Sequence, residues 1–527
     1  MTLSAIWPPS VARVLAFVAV VAPTAAHAQA FIGPGDGTAE SVVPFLCFDA
    51  GASAATIELS LMEQAALARM NPMPAELLFA PKFNANQSWG VGDGTPIELT
   101  WSLVPDGTRI SDRQVSLSLQ SDMFVKMDAQ FAGAGGREVW IGQIQAGFDR
   151  WSEITGIRFR RVSLPGQDWD EGTDQSFSSS DRSSTRGQIR IGMARIDGPG
   201  GTLGYNYLPG GGGDMVLDSD ENWSLAPNFL LLRNAVTHEL GHALGLNHVC
   251  SGDARFLMEP RIDNNMEGPQ HDGIRGVHKL YGDAAEPNGS RSAAFDLGTL
   301  RAGGSLSMGT TPGPELEAPA SVLSLRDSGD EDWFSFELTE SIELSAAIVP
   351  VGLVYEDGDQ DFLTGVCQAG PIIDTAPLLD LAIELVDDSG AVVASSDAQA
   401  SGQSETLSGI SVGPGMYAVR VTGVPDGIST GAEVQLYTIE LGAVGAGPGC
   451  IADVTTLGAT IEGAVGYGVP DGIVDLDDLG IFLARWLAGE PSTDLTTTGD
   501  TLGGVPDGIV DLDDLSFFIN AWLAGCP

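Results

Sequence analysis

The sequence predicts a multidomain protein with an α/β (α+β) domain, an antiparallel β-sandwich and a small α-helical module, in that order. Residues 96–282 combine strand-like alternation with a helical apolar stripe, whereas residues 283–445 form short alternating segments separated by Gly, Asp and Ser. In residues 446–527, the eleven residues that begin at Val469 recur at Val505. Because 527 residues exceed what one hydrophobic core usually organises, several domains are expected.

The first domain shows both the alternating pattern of a β-strand and the apolar spacing of an α-helix. Residues 96–103 alternate apolar and polar side chains as a strand does, and residues 157–162 and 188–193 are further strand candidates. A stripe at helical spacing predicts a long amphipathic helix between them, and its members are Trp140, Ile144, Phe148 and Trp151.

The net charge narrows the possible partners. The chain has 25 Lys and Arg against 70 Asp and Glu, which gives a formal charge of -45. Such a chain repels nucleic-acid phosphates and anionic lipid headgroups, so neither is expected as a partner. Divalent cations match it better, although a solvated acidic surface explains most of these carboxylates equally well.

The N-terminus predicts export. Arg13 precedes an apolar run at 14–22, and Ala26-His27-Ala28 has the small-x-small pattern of a cleavage site. We therefore expect residues 1–28 to be a signal peptide. The run is too short to span a membrane, so a secreted protein without a transmembrane anchor is expected. Residues 29–95 are predicted to be a pro-segment or N-terminal extension.

Five cysteines in an exported chain form at most two internal disulfides. Cys450 and Cys526 bracket the last module and are the preferred pair. The sequence does not pair Cys47, Cys250 or Cys367.

The strongest chemical signal is the motif His238-Glu239-Leu-Gly-His242-Ala-Leu-Gly245-Leu-Asn-His248. On a helix, His238 and His242 project from one face and reach one metal ion, while Val236 and Leu240 point into a core. Asn228 is the expected N-cap, and a glycine at 245 suits the end of the helix. The chain then turns back and supplies His248.

Three histidine ligands leave a fourth position open for water, which is typical of a catalytic zinc site. Glu239 would take a proton from that water as general base and return it to the leaving amine. Two alternatives remain open, namely a helix with three ordinary histidines and a site that binds metal without activity. His271 and His278 lack ligand spacing and are interpreted as packing or surface residues.

These motifs resemble those of the metzincins, and most closely those of the matrixins. Met258 in Leu257-Met258-Glu259-Pro260 is similar to the Met-turn methionine beneath the zinc ligands, and residues 274–282 are similar to the helix that closes matrixin domains. Residues 196–204 and 213–223 resemble the matrixin calcium loops. The resemblance implies one calcium on Asp197, Asp218 and Glu221, and a second calcium served by Asp214.

The sequence also departs from the matrixin pattern. Tyr205 and Val216 stand where matrixins usually place histidines for a second, structural zinc, so we expect that zinc to be absent. Val249 replaces a usual serine, and Glu259 a frequent tyrosine. No PRCGxPD cysteine switch is present. Cys47 is a candidate latency thiol on the zinc, but a disulfide or a free thiol is the favoured interpretation.

The middle region is similar to bacterial pre-peptidase C-terminal β-sandwich domains. The similarity is carried by Glu286-Pro287-Asn288, residues 330–334 and residues 415–421. Substrate or surface binding is the functional interpretation, and a stabilising spacer is the alternative.

The C-terminal repeats resemble dockerin modules with EF-hand-like loops. The resemblance implies calcium binding and docking to a cohesin-like or cell-surface partner. Leu479, Phe482 and Trp486, like Leu515, Phe518 and Trp522, are expected to form the core between two helices. The candidate calcium ligands are Asp453, Asp471, Asp475 and Asp478 in the first repeat and Asp494, Asp507, Asp511 and Asp514 in the second.

Together these features predict a secreted zinc-dependent endopeptidase that binds an extended polypeptide beside an edge strand. The main alternative is a non-enzymatic, calcium-dependent surface or adhesion protein on an inactivated peptidase scaffold. Hydrolysis of a non-peptide ester or amide is a third possibility that the three ligands alone do not exclude.

Overall fold

The structure is a computed structural model that describes residues 45–53, 57, 88–111, 119–176, 183–225, 228–252, 255–310, 321–360, 366–424, 433–445, 454, 474, 476–496 and 508–524. The predicted signal peptide and most of the predicted N-terminal extension lie outside these ranges. Among the described helices, none has both the length and the apolar character needed to cross a membrane.

The first part of the chain contains strands and helices in mixed order. Its strands are β1 (Phe45–Asp49), β2 (Ile97–Leu103), β3 (Arg109–Ser111), β4 (Leu119–Gln120), β5 (Ile157–Arg161), β6 (Gln175–Ser176), β7 (Ile189–Ala194), β8 (Thr202–Asn206), β9 (Met215–Asp218), β10 (Val249–Cys250) and β11 (Arg261–Ile262). Its helices are α1 (Met123–Phe131), α2 (Arg137–Ile154), α3 (Leu230–Ala243) and α4 (His271–Tyr281), with a 3-10 turn at Pro209–Gly211.

One mixed sheet organises this region in the order β11-β1-β8-β9-β7-β2-β5. Strands β5, β2, β7 and β9 run parallel, and β8 runs antiparallel to β9. β1 is added to β8 in antiparallel register, with Cys47 opposite Gly204. The N-terminal segment therefore occupies the edge of β8 that faces away from β9.

The predicted helical stripe is the buried face of α2. Trp140, Ile144, Phe148 and Trp151 are fully buried, and the ring of Phe148 stacks on that of Trp101 from β2. The indole of Trp151 donates a hydrogen bond of 2.9 Å to the carbonyl of Thr237 in α3. Burial of these large rings fixes α3 against α2 and the sheet.

The middle region forms two larger sheets and a two-stranded pair, and it supplies one strand to a pair with β10. Its strands are β12 (Phe295–Leu300), β13 (Ser305–Met308), β14 (Leu323–Leu325), β15 (Glu331–Leu338), β16 (Ile342–Val351), β17 (Val354–Glu356), β18 (Gly358–Asp359), β19 (Ile372–Asp374), β20 (Asp380–Asp387), β21 (Val392–Ser396), β22 (Glu405–Val412), β23 (Gly415–Val424) and β24 (Gln435–Gly445), and a 3-10 turn lies at Arg291–Ala293.

The two larger sheets have the orders β12-β15-β23-β20-β21 and β13-β24-β16-β22, with β14 also on β24, while β17 pairs with β19 and β18 with β10. Apolar side chains from both sheets, including Phe334, Phe336, Leu344 and Ile439, share one core. β12 and β15 are parallel, so the prediction of a purely antiparallel arrangement is wrong at this edge. About 30 residues, including β13 and β14, lie between β12 and β15 in the chain, so the two strands are joined by a crossover and can pair in parallel.

A disulfide joins Cys250 to Cys367 and leaves Cys47 as a free thiol. The bond links residues that are 117 positions apart, from the first domain to the middle region. Sequence spacing gives no information on such a pairing, because it depends on how the two regions pack. Cys450 and Cys526 lie outside the described residues.

The last region contributes helices α5 (Leu476–Leu487) and α6 (Leu512–Ala524), with a 3-10 turn at Pro491–Thr493. The rings of Phe482 and Phe518 stack at 3.6 Å between centroids. Leu479, Trp486, Leu515 and Trp522 pack around these rings, as the repeat pattern predicts.

Candidate metal centre

Helix α3 presents the first two histidines of the motif. Val236 and Leu240 are fully buried on its core side. The predicted N-cap at Asn228 is wrong: the helix begins after Phe229, and Asn228 and Phe229 both have left-handed backbone, with φ of 56° and 60°. An N-cap residue normally has extended backbone, so Asn228 lies one residue too early and in the wrong conformation for that role.

The end of α3 turns the chain back as predicted. Gly245 has φ of 106°, and its N–H donates to the carbonyl of His242 at 2.9 Å. Two side chains bind the last carbonyls of the helix: the indole of Trp89 donates to Ala243 O at 2.8 Å, and the hydroxyl of Tyr281 donates to Leu244 O at 2.9 Å. This turn is therefore rigid and carries the chain to His248.

The turn brings three imidazole rings together. The Nε2 atoms of His238, His242 and His248 lie 3.1 Å from one another in all three pairs. All three side chains are buried. Nitrogens that bind zinc tetrahedrally at ~2.0–2.1 Å are themselves roughly 3.3 Å apart, so this spacing fits one ion.

The outer nitrogen of each ring faces an oxygen. Nδ1 of His238 lies 2.5 Å from Leu257 O, and Nδ1 of His242 lies 2.7 Å from Leu246 O. Nδ1 of His248 lies 2.7 Å from Oε1 of Gln360. Because these oxygens only accept hydrogen bonds, each Nδ1 carries the proton and each Nε2 presents a lone pair to the other two.

This arrangement of the three rings fits a bound cation and is unfavourable without one. Burial lowers the pKa of His238 to about 3 and the pKa of His248 to about 4. The pKa of His242 is also lowered, by burial and by the charges that His248 and His238 would carry. The rings are therefore neutral near pH 7. Three lone pairs that converge at 3.1 Å repel one another unless a positive ion lies between them. The donor set suits zinc.

Met258 packs against the helix beside these rings. It is buried, and a Cβ atom placed on Gly241 would lie 2.4 Å from its sulfur. Sulfur and helix backbone are therefore in close contact, so a side chain at 241 would force the end of the Met258 side chain to shift. The structure thus places Met258 against the helix that carries His238 and His242, and its role as a Met-turn methionine stays a prediction.

Glu239 lies beside the histidines in a buried environment. Its Oε1 contacts the thiol of Cys47, and its Oε2 has no hydrogen-bond partner among the described residues. Burial raises the pKa of Glu239 to about 8, although the contact with Cys47 opposes this shift. The ligand atoms of Cys47, His238 and Glu239 all lie within 4.8 Å of one another.

Strand β1 covers this centre. The ring of Phe45 stacks on His242 with 4.6 Å between centroids, and it meets His248 edge-on at 5.3 Å. With Cys47 against Glu239, two side chains of one short strand therefore contact residues of the histidine motif.

Three of the four acids in the predicted calcium loops gather around one loop. Asp218 Oδ2 accepts hydrogen bonds from the N–H groups of Asp197 at 3.1 Å and Gly198 at 3.2 Å, and Glu221 Oε1 accepts one from Gly200 at 2.6 Å. Burial and the neighbouring Asp218 raise the pKa of Asp197 and of Glu221. Crowded carboxylates of this kind are stabilised by a hard cation.

Asp214 lies apart from that group. Its Oδ1 accepts from the N–H of Arg190 at 3.0 Å, whereas its Oδ2 has no partner within the described ranges. Burial raises its pKa to about 8. Tyr205 and Val216 stand opposite each other in the β8–β9 ladder and belong to an apolar cluster.

The acids of the C-terminal repeats are only partly described. Asp478 Oδ1 accepts from Val454 N at 2.8 Å, and Asp514 Oδ1 accepts from Leu495 N at 2.8 Å. Asp494 and Asp511 also accept backbone hydrogen bonds in the second repeat. The remaining candidates lie outside the described residues: Asp453, Asp471, Asp475 and Asp507.

The segment that contains helix α3, its glycine turn and the three histidines is similar in sequence to known proteins. Residues 135–282 match the Matrixin family model (Peptidase_M10). The matched segment of this matrixin-like domain contains the three histidines, Glu239 and Met258.

Curated relatives match the same part of the chain. The matrixin-like domain is similar to human matrilysin, with 43% identity over 113 residues, 18% of this chain and 40% of that protein. It is also similar to rabbit macrophage metalloelastase, with 36% identity over 148 residues, 26% of this chain and 28% of that protein. Matrix metalloproteinase-18 of Xenopus laevis is 33% identical over 150 residues, 27% of this chain and 29% of that protein. The chain therefore spans well under half the length of these relatives, and the matches support a matrixin-like metzincin domain.

Sequence reasoning named Cys47 as a candidate latency thiol but did not find two other neighbours of the centre, Gln360 and Phe45. Gln360 lies 112 residues beyond His248 and has no motif around it. Phe45 and Cys47 belong to a strand that was not predicted, and the apolar character of its sequence, FLCFD, is the one signal that could have indicated it. Its place on β8 depends on the tertiary fold.

Proposed function

We propose that this chain is a secreted zinc-dependent endopeptidase whose centre is built by His238, His242, His248 and Glu239. The observation that carries this proposal is the convergence of three Nε2 lone pairs at 3.1 Å, beside a carboxylate with an unpaired oxygen. Zinc held there would supply the Lewis acid that activates water for attack on a peptide carbonyl.

Glu239 acts as the general base in this proposal. Its free Oε2 accepts the proton of the attacking water and later returns that proton to the leaving amine. The three neutral imidazoles keep Nε2 available because their Nδ1 protons are committed to oxygens.

The substrate is proposed to be an extended polypeptide on the edge of β8. Support comes from β1, an extended segment of the same chain that forms antiparallel pairs along β8 from Phe45 to Phe48 and parallel pairs with β11. Backbone pairing on both sides orients a peptide without regard to most of its side chains. Since β1 occupies this position, we propose that it must leave before substrate binds.

Calcium is proposed to stabilise the loops rather than to take part in the chemistry. Asp197, Asp218 and Glu221 would share one ion, and Asp214 would serve a second. Calcium binding by the C-terminal repeats, and their docking to a cohesin-like or cell-surface partner, rests on the dockerin resemblance and stays a prediction.

The test compares wild type with Glu239→Gln, which keeps the shape of the side chain and removes the base. Casein or gelatin cleavage is measured after the N-terminal segment has been released by limited proteolysis, and zinc content is measured in both proteins. We expect equal zinc content and a loss of cleavage of at least about a hundredfold in the variant. Equal cleavage by both proteins would eliminate the mechanism. Bound zinc without cleavage in wild type would favour the non-enzymatic alternative.

A further inference from the structure

The third histidine is held differently from the other two. The outer nitrogens of His238 and His242 face backbone carbonyls of the matrixin-like domain, at Leu257 and Leu246. The outer nitrogen of His248 instead faces the side chain of Gln360, which lies beyond that domain in the middle region. One partner of the metal centre is therefore supplied by another part of the chain.

A short ladder explains why these two residues meet. β10 and β18 pair in antiparallel register, with Val249 opposite Asp359 and Cys250 opposite Gly358. The same register places His248 opposite Gln360, at the end of the ladder. A side-chain hydrogen bond of 2.7 Å then joins them.

The segment that carries Gln360 also pairs with residues on the side away from β10. Gln360 forms an isolated antiparallel bridge with Cys367, and Cys367 is bonded to Cys250. The N–H of Gln368 donates to Asp359 O at 2.8 Å. Strand pairing, the disulfide and the bridge to Cys367 thus fix the backbone of Gln360 against β10.

Buried contacts hold the same region against α4. His271 Nε2 lies 2.7 Å from the hydroxyl of Thr375. The hydroxyl of Tyr355 donates to Asp272 at 2.7 Å and accepts from Arg275 at 3.1 Å. These polar groups are shielded from water, so the two regions meet in one defined orientation.

We propose that Gln360 is a positioning residue for the metal centre and that the middle region thereby completes a site whose ligands all lie in the matrixin-like domain. The amide oxygen of Gln360 keeps the proton of His248 on Nδ1, orients the ring and leaves Nε2 directed at the ion. This inference rests on the proposed zinc site. It assigns the middle region a role beyond that of a spacer.

The chemistry of an amide suits this role. Gln360 Oε1 accepts a hydrogen bond without adding charge to a centre that already contains Glu239. Removal of an outer partner of a metal-bound histidine typically weakens metal affinity about 10- to 100-fold. A hydrophobic residue of similar size at 360 should therefore weaken zinc binding while the fold is kept.

The experiment uses the full chain and measures zinc affinity by competition with a chelator, together with the absorption spectrum of the cobalt-substituted protein. Gln360→Leu removes the acceptor, and Gln360→Glu keeps it. Tyr355→Phe is the matched control, because it removes hydrogen bonds from the same contact between regions without touching His248. Circular dichroism and thermal unfolding show whether each variant is folded.

We expect Gln360→Leu to bind zinc about 10- to 100-fold more weakly and to change the cobalt spectrum, and Gln360→Glu, which keeps the acceptor, to bind zinc more tightly than Gln360→Leu. Tyr355→Phe should bind zinc like wild type. Wild-type affinity in Gln360→Leu would overturn the proposal, as would equal weakening in Tyr355→Phe, which would indicate a general effect of docking. A wild type that fails to bind zinc would overturn it too.

The outcome separates this inference from the proposed peptidase activity. If wild type binds zinc but cleaves no protein, the activity proposal fails while the affinity series still decides the role of Gln360. If wild type cleaves casein and Gln360→Leu keeps full zinc affinity, only the positioning role fails.

Discussion

The ring of Phe45 lies nearly parallel to the imidazole of His242, with 4.6 Å between centroids and 13° between planes. Phe45 and Cys47 are two residues apart in β1, so both project from the same face of the strand, towards the metal centre. The structure therefore represents a form of the protein in which its own N-terminal segment covers the centre.

This contact predicts that weakening β1 raises activity. The double change Phe45→Ala and Cys47→Ala removes both side chains that reach the centre, while the backbone pairs with β8 remain possible. Hydrolysis of a fluorogenic peptide by the unprocessed chain should rise at least about tenfold, the equivalent of ~1.4 kcal/mol less stabilisation of the covered form. Arg160→Ala is the control, since its exposed ion pair with Glu98 lies at the opposite edge of the sheet. No rise over this control would show that β1 does not limit substrate access.

The close contact between α3 and Met258 predicts opposite effects for two glycine substitutions. Gly241→Ala places a methyl group 2.4 Å from the Met258 sulfur and should destabilise the protein by about 1–3 kcal/mol, with weaker zinc binding. In Gly142→Ala the added methyl group on α2 has no other atom within 4 Å, so this change should stabilise the protein by about 0.5–1 kcal/mol. Urea unfolding measures both. A neutral Gly241→Ala would mean that Met258 moves aside at no cost.

His278 predicts a loss of stability in acid. It is buried in α4, its Nε2–H donates to Ile154 O at 2.6 Å, and burial lowers its pKa from 6.5 to about 4. In the unfolded chain this histidine binds a proton as the pH falls below about 6.5, whereas in the folded protein it stays neutral down to about pH 4. The neutral, buried His278 therefore contributes its full share of stability above pH ~6.5, and that share is lost as the pH falls towards 4.

The expected loss from His278 between pH 7.5 and pH 5 is about 2 kcal/mol. Urea titrations of wild type and His278→Gln at both pH values isolate this contribution from that of the other histidines. The free energy of unfolding should fall less in the variant. An identical fall in both proteins would contradict the low pKa of His278.

The loop held by Asp218 predicts calcium-dependent stability. Calcium should raise the melting temperature of wild type, and chelation should lower it, because the carboxylates around this loop repel one another without the ion. Asp218→Asn should reduce the calcium effect and cost about 1–3 kcal/mol, since its oxygens accept three backbone hydrogen bonds. Glu98→Gln, an exposed acid on β2, should keep the full calcium effect. Equal calcium effects in the two variants would remove Asp218 from the site.

Local pattern predicted much of the first domain. Side-chain periodicity follows directly from backbone geometry, so it predicted both α2 and β2. The evidence was the alternation of β2 and the apolar stripe of α2, which consists of Trp140, Ile144, Phe148 and Trp151. The same reasoning failed at Asn228, where a left-handed turn precedes α3. It also missed the parallel pairing of β12 with β15, because the direction of a strand depends on its connection and not on its own residues.

The sequence by itself determined the spacing of His238, His242 and His248, the glycine that turns the chain between them, and the carboxylate beside them. Those features act over one or two helical turns, a distance that neighbouring residues control. Only the tertiary structure decided that β1 lies on β8, that Cys250 pairs with Cys367 and that Gln360 holds His248. These contacts join residues more than a hundred positions apart, and they form because separate apolar surfaces pack together and bring particular side chains into hydrogen-bonding distance.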